Sequence, residues 1–184
     1  MSKIGLIFGS FNPIHNGHIR IATQGLDRGI VDIVRFVPAK QNPFKASYEV
    51  SDDHRLKMLK LATDDYLTIQ YSLVEFVAKL SSTRTYDVYQ FLKESVGPKN
   101  ELVIMCGSDT YGEVPSWYRG KELLEEPFLI FGRDPSDISS SYIRNQIKLG
   151  RDFRNLVPKP VYEYIKPNNL YVDPTETQRA KANQ

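Results

Sequence analysis

Gly9-Ser10-Phe11-Asn12-Pro13-Ile14-His15-Asn16-Gly17-His18 decides the fold of this chain. Ahead of it, Ile4-Gly5-Leu6-Ile7-Phe8 is a short apolar run of the kind that forms a fully buried strand. Behind it, Ile19, Ala22 and Leu26 recur at i, i+3 and i+7, so the segment reads as strand, turn and helix. A helix start presents unpaired backbone N–H groups and the positive end of its dipole, which together attract anions. Gly9 and Gly17 are expected to let the backbone approach a bulky anion, and His15 and His18 to point into it. Metal ligation by the histidines lacks nearby Cys, Asp or Glu at ligand spacing. A plain capping role is the second alternative. The third makes them preorganised donors to a phosphate that gains charge during reaction.

Working outward, the chain alternates strand and helix, the pattern of an α/β fold with a parallel sheet. Ile33-Val34-Arg35-Phe36-Val37 is the second strand, and Pro38 ends it. A loop follows through Tyr48, carrying Lys40 and Lys45. Ser51-Asp52-Asp53 caps a helix whose buried face is expected to hold Leu56, Leu59 and Ala62. Lys57-Met58-Leu59-Lys60 falls within that helix and reads as a solvated face. Residues 66–71 have strand composition. A helix with Val88, Phe91 and Leu92 on its apolar face follows Thr83-Arg84-Thr85. Residues 101–106 form the fourth strand and run into Gly107-Ser108-Asp109. Residues 127–131 form the fifth, with Arg133 beyond it suited to a phosphate if strand ends gather at the site. Serines 139–141 then start a helix that carries Arg144 one turn in and ends near Gly150.

Length and composition bound the function. At 184 residues, with 41% apolar and 25% charged positions, the chain suits one globular domain. A net charge of +2 is too small to argue for nucleic acid. Nothing approaches 18 consecutive apolar residues, so neither a membrane span nor a membrane partner is expected. The single cysteine, Cys106, precludes an internal disulfide framework and suits a reducing cytoplasm. The division expected is a domain over residues 1–172 and a polar tail over 173–184. The sequence leaves homo-oligomerisation open.

The stretch G-x-F-x-P-x-H-x-G-H resembles the signature of the adenylyltransferases and cytidylyltransferases that share an H-x-G-H motif, and above all the bacterial nicotinate-nucleotide adenylyltransferases. Ile138-Ser139-Ser140-Ser141-Tyr142-Ile143-Arg144 is similar to their I-S-S-T-x-I-R, and the resemblance spans roughly residues 3–171. It implies a Rossmann-like three-layer fold with about five parallel strands flanked by helices. It also implies transfer of AMP from ATP to nicotinate mononucleotide, with Mg²⁺ carried by the substrates and no metal cage of protein ligands. His15 and His18 would be catalytic, and no nucleophilic side chain is implied. Gly9, Ser10, Phe11, His18, Lys45, Arg133, Ser139, Ser140 and Arg144 would bind ATP, with Lys40 an alternative to Lys45. Thr85, Asp109, Trp117 and Tyr118 would bind the mononucleotide, the one tryptophan stacking on its ring. The family turn usually reads Ser-Tyr-Thr where this chain has Thr83-Arg84-Thr85, so a cation replaces an aromatic residue. Only Asp134-Pro135-Ser136-Asp137 separates Arg133 from the serine helix, where the family commonly has a further strand. Nicotinamide mononucleotide and phosphopantetheine remain alternative acceptors, and a non-catalytic nucleotide sensor is the alternative of another class.

Overall fold

The computed structural model describes residues 1–40, 49–80, 82–132 and 138–172. Lys45, Arg133 and the 173–184 tail lie outside the described residues. Five strands, β1 (Lys3–Gly9), β2 (Ile33–Pro38), β3 (Ile69–Tyr71), β4 (Glu101–Gly107) and β5 (Phe128–Phe131), form one sheet in the order β3-β2-β1-β4-β5. All four pairings are parallel, with Ile4 opposite Ile33 on one side of β1 and opposite Leu102 on the other. Parallel neighbours need crossovers, and helices supply them. Helix α1 (Asn16–Asp27) follows β1, and α2 (Asp52–Thr63) follows β2. The short α3 (Val74–Val77) and the longer α4 (Thr85–Val96) follow β3; α5 (Ser108–Glu113) and α6 (Gly120–Leu123) follow β4. Then α7 (Ser140–Lys148) and α8 (Lys159–Ile165) close the fold. This is the Rossmann-like α/β architecture anticipated.

Covering both sheet faces produces two cores. One joins Ile7, Val34 and Met105 to Ala22 of α1, Met58 and Leu59 of α2, Ile143 of α7 and Val161 of α8. The other joins Ile4, Leu6 and Ile104 to Val88, Tyr89 and Leu92 of α4. A Cβ added at Gly25 would run into the Met105 side chain, so α1 packs against β4 as closely as it does because that residue is glycine. The direction of winding reverses between β1 and β4, and in open α/β sheets ligands bind at that switch point, beyond the carboxyl ends of the strands.

Three local expectations change. The third strand covers only three residues, because Leu67 projects into solvent, 95% exposed. On α2 the buried face is rotated: Arg55, Met58, Leu59 and Ala62 point inward while Leu56 is half-buried. On α4, Tyr89 takes the buried position expected of Phe91, which is 39% exposed.

Candidate functional site

The loop between β1 and α1 crosses the switch point and is held by side chains and backbone from distant parts of the chain. Phe11 adopts φ +46°, a left-handed conformation that a bulky residue takes only when its surroundings enforce it. Burial enforces it here, since Phe11 is 1% exposed and its ring meets Phe36 and His18 edge-on. Arg55, fully buried on α2, donates to the Ser10 carbonyl at 2.6 Å and to the Ala39 carbonyl at 2.9 Å. It also pairs with Asp52 at 2.6 Å, so its charge is compensated. The Tyr171 hydroxyl donates to Asn12 Oδ1 at 2.7 Å, and Arg144 Nη1 to the Asn12 carbonyl at 2.8 Å. Ser140 Oγ donates to the Pro13 carbonyl at 2.8 Å, and the Asn16 N–H to the Leu156 carbonyl at 3.0 Å.

This clamped loop presents the two histidines. Their rings stack at 3.7 Å between centroids, 28° from parallel. A Cβ at Gly17 would lie about 3.0 Å from His15 Nδ1, so the glycine makes room for the imidazole. Likewise, the nearest atoms to a Cβ at Gly9 would belong to the Phe11 ring. The His15 backbone N–H donates to His18 Nδ1 at 3.2 Å. With Nδ1 accepting, the neutral His18 ring carries its proton on Nε2. Burial, and then the nearby charge of His15, hold the His18 pKa well below its ordinary value, so the ring is neutral at neutral pH and donates through Nε2–H.

Two clefts open on either side of this ring. The first, of about 670 Å³, is lined by His15, Gly17, His18 and Arg20 from α1 and its start, by Gly107 to Thr110 after β4, and by Ser139 and Ser140. Three helix starts face it, those of α1, α5 and α7. The second, of about 580 Å³, is lined by Gly9, Ser10, Glu75, Arg84, Thr85, Trp117 and Tyr118, among others. His18 and Thr110 line both. Inside the second cleft Glu75 is buried, accepts from the Lys40 backbone N–H at 2.9 Å, and titrates at about 7 because desolvation outweighs that bond and the Arg55 charge.

Most of the residues singled out from the sequence meet here, though in altered company. His15, His18, Ser139 and Ser140 share the first cleft with Asp109, which had been grouped with the mononucleotide. Gly9 and Ser10, grouped with ATP, line the second cleft beside Thr85, Trp117 and Tyr118. Trp117 does two things at once, lining the cleft and packing on the second core. Phe11, expected to contact ATP, has its ring in the core, because its left-handed backbone turns the ring inward beneath His18. Arg144 lines neither cleft; it is engaged by the Asn12 carbonyl and by Glu49 at 2.9 Å. Lys40, weighed for the same phosphates, lines neither and contributes its backbone N–H to Glu75.

Comparison with known proteins identifies the family. The cytidylyltransferase-like family model matches residues 6–146. The nicotinate-nucleotide adenylyltransferase of Bacillus subtilis is 32% identical, over 93% of this chain and 99% of that protein. The chain belongs to the nicotinate-nucleotide adenylyltransferase family. A Carboxydothermus hydrogenoformans protein named "probable nicotinate-nucleotide adenylyltransferase" is 34% identical over 92% of this chain and 98% of its own. Among solved structures, the Plasmodium falciparum nicotinic acid mononucleotide adenylyltransferase complexed with NaAD superposes with a TM-score of 0.75 at 19% identity, covering 93% of this chain and 98% of that one. That likeness bears on the fold.

Several residues in and around these clefts escaped the sequence reading. Arg20 is the one Arg or Lys among the described residues lining the first cleft, and it looked like part of the solvated face of an amphipathic helix. Thr110 carried no motif. Arg55 is a buried cation behind the second cleft, and Glu75 is a buried acid of its lining. The only sequence signal for Arg55 was a charged residue where the helical period placed an apolar one, and Glu75 gave none.

Proposed function

We propose that this chain transfers the AMP moiety of ATP to nicotinate mononucleotide, forming deamido-NAD and pyrophosphate in NAD biosynthesis. A single observation carries the reading: two clefts of substrate size share one neutral imidazole, as a two-substrate transfer between polyanions requires. In this reading ATP occupies the first cleft, its phosphates against the starts of α1 and α7, Ser139, Ser140 and Arg20. The mononucleotide occupies the second, its ring beside Trp117 and Tyr118. An oxygen of its 5′-phosphate attacks the α-phosphorus of ATP. The bond from that phosphorus to the oxygen bridging to the β-phosphate breaks, and pyrophosphate leaves with the electron pair. His18 Nε2–H would donate to the α-phosphate as charge gathers on it. A donor already oriented costs no reorganisation at that moment. His15 supports it from the adjacent stacked position.

Lys45 and Arg133 are proposed for the outer phosphates on sequence grounds. Magnesium bound to substrate phosphates needs one or two protein carboxylates at most, and Asp109 supplies one in the first cleft, so the lining fits an ion brought in by ATP. When bound, Mg²⁺ neutralises phosphate charge. A cytoplasmic setting suits the lone cysteine, Cys106, which is buried and whose thiol burial pushes up to about 11. The decisive assay is pyrophosphate release from ATP with a panel of nicotinate mononucleotide, nicotinamide mononucleotide and phosphopantetheine. Fastest turnover with phosphopantetheine, or none with any acceptor, would overturn the assignment.

A further inference from the structure

A pair of arginine–tyrosine contacts that run in opposite directions, one of them in the lining of the second cleft, joins the start of α4 to Tyr118-Arg119 ahead of α6. Arg84, the residue before α4, holds its guanidinium 4.5 Å from the centre of the Tyr118 ring. Arg119, next to Tyr118, lies 4.1 Å from the centre of the Tyr86 ring on α4. The two cations are not equivalent. Arg119 pairs with Glu122 at 3.1 Å and lines a separate groove with Tyr86 and Asp87. Arg84 makes no capping hydrogen bond, has no carboxylate partner among the described residues, and is the one Arg or Lys among the described residues lining the second cleft.

The other charged side chains of that lining are Glu75 and Glu113. A ring acid entering a cleft whose other ionisable carboxyl groups offer it no attraction gains from a cation, and Arg84 is the cation present among the described residues of the lining. Stacking on an aromatic ring engages the face of a guanidinium and leaves its in-plane N–H groups able to grip a carboxylate with two parallel bonds. A carboxamide offers one acceptor and an NH₂ that faces donors, so it gains far less from the same group. We propose that Arg84, steadied by Tyr118, is the residue by which this chain reads the acid on the pyridine ring. The inference rests on the nicotinate mononucleotide reading above, and it concerns a position where this chain carries a cation in place of the family's usual tyrosine.

The test measures kcat/KM for nicotinate and nicotinamide mononucleotides at saturating ATP in wild type, Arg84→Gln, Arg84→Lys and Arg119→Gln. Wild type should favour the acid by at least about tenfold. Arg84→Gln should lose most of that ratio through a fall on the acid. Arg84→Lys, a point charge without the planar fork, should keep part of it. Arg119→Gln should keep the wild-type ratio. Quenching of Trp117 fluorescence by nicotinate mononucleotide without ATP gives the same comparison as a binding constant, independent of turnover. An unchanged ratio in Arg84→Gln overturns the assignment, as does an equal loss in Arg119→Gln, which would trace the effect to the stiffness of the paired contacts rather than to charge. Wild-type enzyme inactive on both mononucleotides would instead overturn the function itself, before any variant is made.

Discussion

Replacing His18 by Ala removes one oriented donor and little of the fold, and the structure lets both effects be sized. The donor is the Nε2–H fixed by the 3.2 Å bond from the His15 N–H to Nδ1. Losing one preorganised donor of this kind lowers kcat by about 10²–10³, or ~2.7–4 kcal/mol of transition-state stabilisation. The fold loses the acceptor for the His15 N–H, worth about 1 kcal/mol at a helix start. It also loses the stacked contact with His15 and the edge contact with Phe11. For a chain of this size each kcal/mol moves the melting temperature by ~2–4 °C, so a fall of only a few degrees is expected. His18→Asn separates the two effects further, because an amide oxygen at that position can still accept from the His15 N–H. It should restore part of the melting temperature and little of the turnover. Pyrophosphate release at saturating substrates gives kcat, and thermal unfolding gives stability. A kcat within threefold of wild type in both variants would refute the reasoning, as would a loss of activity that simply tracks unfolding.

The same residue carries a pH signature. The folded pKa of His18 is lowered, so the unfolded chain binds the proton more readily. Its contribution to stability is therefore fully present above the unfolded value of 6.5 and declines as pH falls through the folded value. His18→Asn should flatten that part of the stability curve below about pH 6.5.

Glu75 should act with the opposite sign. Its pKa is raised from 4.5 to about 7, so its contribution is fully present below 4.5 and is lost as pH rises through 7. Glu75→Gln should gain thermal stability relative to wild type between pH 5 and pH 8, and an unchanged difference across that range would contradict the shift. Tyr171→Phe leaves buried Asn12 without the 2.7 Å bond to its Oδ1, and about 1–3 kcal/mol of stability should go with it in denaturant unfolding. Unaltered unfolding would show that this clamp is dispensable. Arg144→Ala should lower kcat/KM for both substrates by loosening the loop that carries the histidines, and Arg144→Lys should recover only part, since an ammonium cannot hold Asn12, Ser141 and Glu49 together. A raised KM for ATP alone, with the mononucleotide unaffected, would mean instead that the arginine meets the ATP phosphates directly.

What could be read in the sequence was whatever local spacing dictates. A strand, a glycine-bounded loop and a helix start are contiguous, so the His15–His18 pair and the capped serine helix were legible, as were the five strands. Direction in space was not legible. The aromatic residue in Gly9-Ser10-Phe11 looked like a ligand contact, yet the left-handed backbone at Phe11 sends its ring into the core, where it supports His18 from below. Arg55 was hidden because a helical period assigns its inward positions to apolar residues. A buried guanidinium betrays itself only through the carbonyls that it satisfies 45 and 16 residues away. Glu75 sits on a four-residue helix too short to show any period. The serine helix makes the same point about chemistry. Its hydroxyls and its arginine were read as anion ligands from residue type, but in the folded chain Ser140 Oγ donates to Pro13 and Arg144 to Asn12, both in the loop. A residue type announces what a group can donate. Only the fold decides what accepts, and here much of what was expected to hold phosphate holds in place the loop that carries the histidines.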